Sequence, residues 1–191
     1  MINLIPLIIS ALFFNMAGAQ LTTNVTWTEQ STLSAAEVIY YSAADNLVWG
    51  DFKGKPVEGR AAAVTVSGFG YNARMNAKNG KGQLNISVYC YFHKNKSWVK
   101  TGSTIPYILT HEQHHFDLSY IATRLFMQKL RNAVFTQDNY TVLLPKIYTE
   151  CCDIMNKMQD DYDGQTKNGQ LKDVQAKWND LVDEKISLIT K

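Results

Sequence analysis

The hydrophobic pattern changes period once along the chain, near Ile105-Pro106, and that change restricts the fold more than any other feature. Before it, apolar and β-branched residues alternate or cluster in short runs at Val25-Thr26-Trp27-Thr28, Val38-Ile39-Tyr40-Tyr41, Ala63-Val64-Thr65-Val66 and from Leu84 to Phe92, the pattern of strands. Gly54, Gly68, Gly70, Gly80 and Gly82 punctuate them. Asn79-Gly80-Lys81-Gly82 suits a hairpin loop, so the strand through Ala63 to Tyr71 is expected to pair with the one through Gln83 to Phe92. After the change, helical spacing predicts helices over about 105–132, 141–161 and 171–189, with polar connections at 136–139 and 164–169 and Pro145 in the second helix's first turn. Strands first and helices afterwards imply an α+β domain, a strand-rich N-terminal sheet packed on about three C-terminal helices.

The first of those helices carries His111-Glu112-Gln113-His114-His115. Residues i and i+4 share a helix face, so His111 and His115 can present two imidazoles to one metal ion, with Glu112 beside it. Ile108, His111, His115, Leu118, Ala122, Leu125 and Phe126 continue the helical spacing to Leu130, so the motif rides on an amphipathic helix. His114 stands three residues after His111 and is the weaker partner, because that pairing takes Glu112 out of register with both ligands. With two neutral nitrogens, a third protein ligand and one open position, zinc lowers the pKa of a bound water to about 7, and a carboxylate placed as Glu112 is can take the proton.

Composition sets the surroundings. Leu4 to Phe14 is almost continuously apolar and Ala17-Gly18-Ala19 precedes Gln20, the signature of an export signal over residues 1–19 that leaves a single domain over 20–191. The expected location is secreted or periplasmic, with no membrane span in the mature chain. A net charge of +2 with 19% charged residues carries no basic run, which excludes a nucleic-acid partner; Lys94, Lys96 and Lys100 read as a solvated strand edge. Cys90, Cys151 and Cys152 are odd in number, so one disulfide at most can form, and buried free thiols are the competing expectation. Sequons at Asn24, Asn85, Asn95 and Asn139 matter only in a host that glycosylates exported proteins. Trp49, Phe52 and Trp98 are expected in the core.

Three segments, Asp45 to Pro56, Ser97-Trp98-Val99-Lys100 and His111 to Asp117, occur in an order that resembles the predicted secreted zinc-dependent proteases of bacteria, from about residue 45 to about 185. The resemblance implies a zincin-like active helix, Zn2+ as cofactor and a peptide or protein substrate, cell-wall peptide included. It also bears on the third ligand. Family members tend to carry Tyr-Asp-x-Glu-Thr-x-His where this chain reads Tyr162-Asp163-Gly164-Gln165-Thr166-Lys167-Asn168, so it departs from the pattern at Gln165 and Asn168 and keeps Asp163. Asp163 is the first choice as third ligand, and Glu150 on the preceding helical stretch the second. Asp117 is the third, since it points about 200° around the helix from His115 and suits a structural contact better.

Two functions remain open at this point: a metallopeptidase with His111, His115 and Asp163 on zinc and Glu112 as general base, or a non-catalytic envelope binding or structural module whose metal site has decayed at Gln165 and Asn168.

Overall fold

The computed structural model describes residues 19–78 and 81–190. The expected export signal lies, but for Ala19, outside the described residues, as does the Asn79-Gly80 part of the expected hairpin loop. The fold is α+β. Six strands, β1 (Leu21–Trp27), β2 (Val38–Tyr40), β3 (Ala63–Val64), β4 (Ser67–Lys78), β5 (Lys81–His93) and β6 (Trp98–Val99), precede three helices, α1 (Pro106–Asn132), α2 (Tyr140–Thr166) and α3 (Lys172–Thr190).

Strand β5 is the centre of the main sheet. It pairs antiparallel with β4 from Ser67 opposite Phe92 to Lys78 opposite Lys81, parallel with β1 from Leu21 opposite Gly82, and antiparallel with β2 at its far end. Its alternate residues Leu84, Ile86, Val88, Cys90 and Phe92 are buried, as period-2 patterning demands of a strand with one covered face. That face meets α1: Phe92 packs at a tilt against Phe116 and Phe69 against Phe126, in one core with Ala122 and Leu130. Burying side chains of this size stabilises the fold by about 1.5–3 kcal/mol each, which fixes α1 on the sheet.

The expected strand over Ala63 to Tyr71 is in fact two. Ala63 and Val64 pair with Val99 and Trp98 in a separate two-stranded ribbon, and the main-sheet strand starts at Ser67. The break has a local cause. Val66 N–H donates to Ser97 Oγ at 2.8 Å instead of to a strand, and Thr65 Oγ1 and Ser67 Oγ donate to the α1 carbonyls of Glu112 and His115 at 3.0 and 3.3 Å. The turn therefore lies directly against the histidine segment.

The segments that carry the resemblance converge here too. Gly54 N–H donates to Ser97 O at 2.7 Å, and a Cβ on Gly54 would stand 2.8 Å from that oxygen, so the contact requires glycine. Leu47 N–H donates to Gln113 Oε1 at 2.8 Å. Phe52 and Trp98 are buried as expected, and Trp49 packs partly buried against the core. Lys100 reaches Gly59 O at 2.6 Å. All three cysteines are free.

Helix α1 begins with Pro106 at its first position, where the absent N–H costs nothing. Helix α2 corrects two expectations. Pro145 sits in its second turn, one turn after the exposed Thr141 on the same face, and the helix runs past Gly164 to Thr166. It ends where Lys167, Asn168 and Gly169 all take positive φ. No helix among the described residues is long and apolar enough to cross a membrane.

Candidate metal centre

Helices α1 and α2 bring three of the expected residues to one point. His111 Nε2 and His115 Nε2 each lie 3.1 Å from Asp163 Oδ1 and 3.2 Å from one another. Ligand atoms at about 2.0–2.1 Å from a tetrahedral ion stand about 3.3 Å apart, so this triangle matches such a site to about 0.2 Å. The group can hold a metal ion.

Two glutamines set the orientation of the histidine rings. Gln159 Nε2 donates to His115 O at 2.8 Å, which directs its Oε1 to His115 Nδ1. Gln175 Nε2 donates to Asn179 Oδ1 at 2.7 Å and to the Tyr162 hydroxyl, which directs its Oε1 to His111 Nδ1 at 2.8 Å. An amide oxygen only accepts, so each Nδ1 carries a hydrogen, and in the neutral imidazole each Nε2 turns its lone pair to Asp163. Three acceptors aimed at one point repel unless a cation or a proton lies between them.

The electrostatics follow. Burial opposes a charge on Asp163, but its hydrogen bonds to His111 and His115 and their charges prevail and hold its carboxyl below the usual carboxylate range. His115 is pushed up from its ordinary value: burial acts against this, and Asp163, Glu112 and Gln159 outweigh it. Tyr162, fully buried, stacks on His111 with ring centroids 4.7 Å apart and planes 18° apart, closing the site from the core side.

Glu112 differs from these three residues. It is 4% exposed, and its Oε2 is buried without a hydrogen-bond partner. Burial raises its pKa, and the opposing pull of His115, of the Thr65 hydroxyl beside the carboxyl and of His111 does not cancel it. Glu112, His111, His115, Gln159 and Asp163 all line one cleft of ≈ 1230 Å³, which Arg60 to Ser67 also line. Asp163 keeps 39% of its side chain exposed there.

The other candidates are placed elsewhere. Glu150 pairs with Lys129 at 3.1 Å and belongs to the α1–α2 interface, because the turn of α2 that carries it packs far down α1 from the histidines. Asp117 accepts from Tyr41 and Gln113, both at 2.9 Å, the structural contact expected of it. His114 faces Asp183 and Tyr162. Gln165 accepts from Trp178 Nε1 at 3.1 Å, away from the ligand triangle, whereas Asn168 lines the cleft. Gln159 and Gln175 are not singled out in sequence. Gln159 has a signal, its place one helical turn before Asp163 on the same face; Gln175, on another helix, has none.

No protein-family model matches the chain, and no curated protein or solved structure matches it either. The functional reading therefore stands on the site.

Proposed function

We propose that the protein is an exported zinc metallopeptidase, with zinc held by His111, His115 and Asp163. The observation that carries this reading is the buried, unpartnered Oε2 of Glu112 in the same cleft as the three-ligand triangle. A carboxylate buried without a partner costs stability, and a purely structural site gains nothing from it. Two nitrogens and one carboxylate oxygen suit zinc, and three protein ligands leave a position open.

When bound, zinc supplies Lewis acidity that polarises a carbonyl and makes a water acidic at about pH 7. The chain does the rest. Glu112 takes a proton from water on Oε2, its raised pKa bringing it nearer to the neutral range in which a general base works best. The same oxygen then gives the proton to the leaving amine. Gln159 and Gln175 keep both imidazoles oriented, Tyr162 keeps water from reaching the site through the core, and the open cleft admits an extended peptide.

The triangle is complete without Gln165 or Asn168, which favours this reading over a module with a decayed site. The test is metal content with activity. Protein purified without added metal should hold about one equivalent of zinc and cleave members of a peptide library, and a chelator should abolish the cleavage. A folded protein that takes up no zinc would refute the proposal.

A further inference from the structure

Helix α3 packs on the other helices through a small cluster built on Leu118, Tyr162 and Val182, and reaches the main core only through the partly buried Ile186 and Ile189. Most of its length is exposed, with Leu181 and Leu188 facing outward. Within that small core lies Gln175, 1% exposed. A buried amide is tolerated only when its hydrogen bonds are made, and those of Gln175 go to Asn179, Tyr162 and His111. One of the three is the ligand itself. A second tie, His114 Nε2 to Asp183 Oδ1 at 3.4 Å, joins the same two helices.

We infer that α3 is a latch on the metal centre: Gln175 holds the His111 ring with Nδ1 protonated and Nε2 free to ligate, so that ion binding and α3 docking stabilise one another. If α3 lifts away, His111 loses the acceptor that selects its tautomer, and Tyr162 loses a partner behind the ring it stacks on. The ion then binds a less organised site. Linkage makes the converse equally true: an ion that favours the docked state must hold α3 down by the same factor. The small apolar core makes α3 the helix most open to local undocking, so the coupling has an equilibrium to act on. The glutamine acts through His111 and is a positioning residue. This inference rests on the metal-site reading above.

The experiment uses the full chain, zinc, and two readouts, zinc affinity by chelator competition and amide hydrogen exchange resolved along the helices. In the parent, zinc should slow exchange across Lys172–Thr190 at least about tenfold, with a smaller effect on the sheet-packed C-terminal half of α1. Gln175→Leu should weaken zinc binding by about 10–100-fold, the usual effect of losing a group that orients a ligand, and Gln175→Glu, which restores an acceptor, should recover most of it. Val182→Ala loosens α3 without touching the histidine and should both speed α3 exchange and weaken zinc. If Gln175→Leu does not fold, the parent's exchange and Val182→Ala still decide. Stoichiometric zinc in the parent, together with α3 exchange indifferent to it or a Gln175→Leu variant of parental affinity, would overturn the latch and leave the metal site standing. A parent that binds no zinc overturns both.

Discussion

Gln159 holds His115 at both ends, its amide nitrogen donating to the histidine's main-chain oxygen at 2.8 Å while its amide oxygen accepts from Nδ1 of the ring. One side chain thus reads the helix position and the ring orientation together. Because Gln159 and Asp163 stand one turn apart on α2, the helix that carries Asp163 also orients the His115 ring toward it.

Gln159→Leu should therefore weaken zinc binding by about 10–100-fold while the protein stays folded, since the side chain is only partly buried. Chelator competition measures the first effect and a thermal melt the second. Unchanged affinity would show that the Nδ1 contact does not matter to the ion.

Removing a ligand should cost far more. Asp163→Ala, His111→Ala and His115→Ala should each abolish stoichiometric zinc binding, because a site with three protein ligands has none to spare. Glu150→Ala should leave zinc content intact and cost at most about 1 kcal/mol through the half-exposed pair with Lys129. Zinc analysis of the four proteins tests this, and full occupancy in any ligand variant contradicts the assignment.

The same triangle sets a pH dependence. His115, raised above its ordinary value of about 6.5, adds stability to the metal-free fold below that pH and loses it as pH rises through the raised value. Asp163, lowered, adds stability above about pH 3.9 and loses it only as pH falls through its lowered value. Between these limits a proton held between His115 and Asp163 takes the place of the ion. Zinc must displace that proton wherever His115 is charged and need not once pH has risen through the raised value. The rise in Tm on adding zinc should accordingly be larger at pH 8 than at pH 5.5; equal increments would contradict the shared proton.

Much of this arrangement was legible from residue order alone, and the exceptions have physical reasons. The i, i+4 histidines and the apolar spacing around them locate α1 because both the core face and the ligand face of that helix obey one period. The division of Ala63 to Tyr71 into two strands was not legible. It is decided by Ser97, Glu112 and His115, all distant in sequence from the turn they stabilise. Gly164 reads as a helix end because glycine costs about 1 kcal/mol in a helix interior. The packing of Tyr162 and Thr166 in the buried layer beneath the histidines outweighs it, and α2 stops only at the left-handed Lys167. That extra turn keeps Asp163 on a rigid helix and aimed at the ligand triangle. Gln175 escaped notice because its role exists only once three helices have assembled.

The central claim, that Glu112 is a general base held beside a metal centre, is tested most directly by Glu112→Gln, assayed for zinc content and for peptide cleavage in the same preparation. Glutamine keeps the size of the side chain and removes its capacity to take a proton, so zinc should remain at about one equivalent while cleavage falls by about 10²- to 10⁴-fold. A Glu112→Gln protein that holds zinc and cleaves peptides at the parental rate would contradict the account, whatever His111, His115 and Asp163 bind.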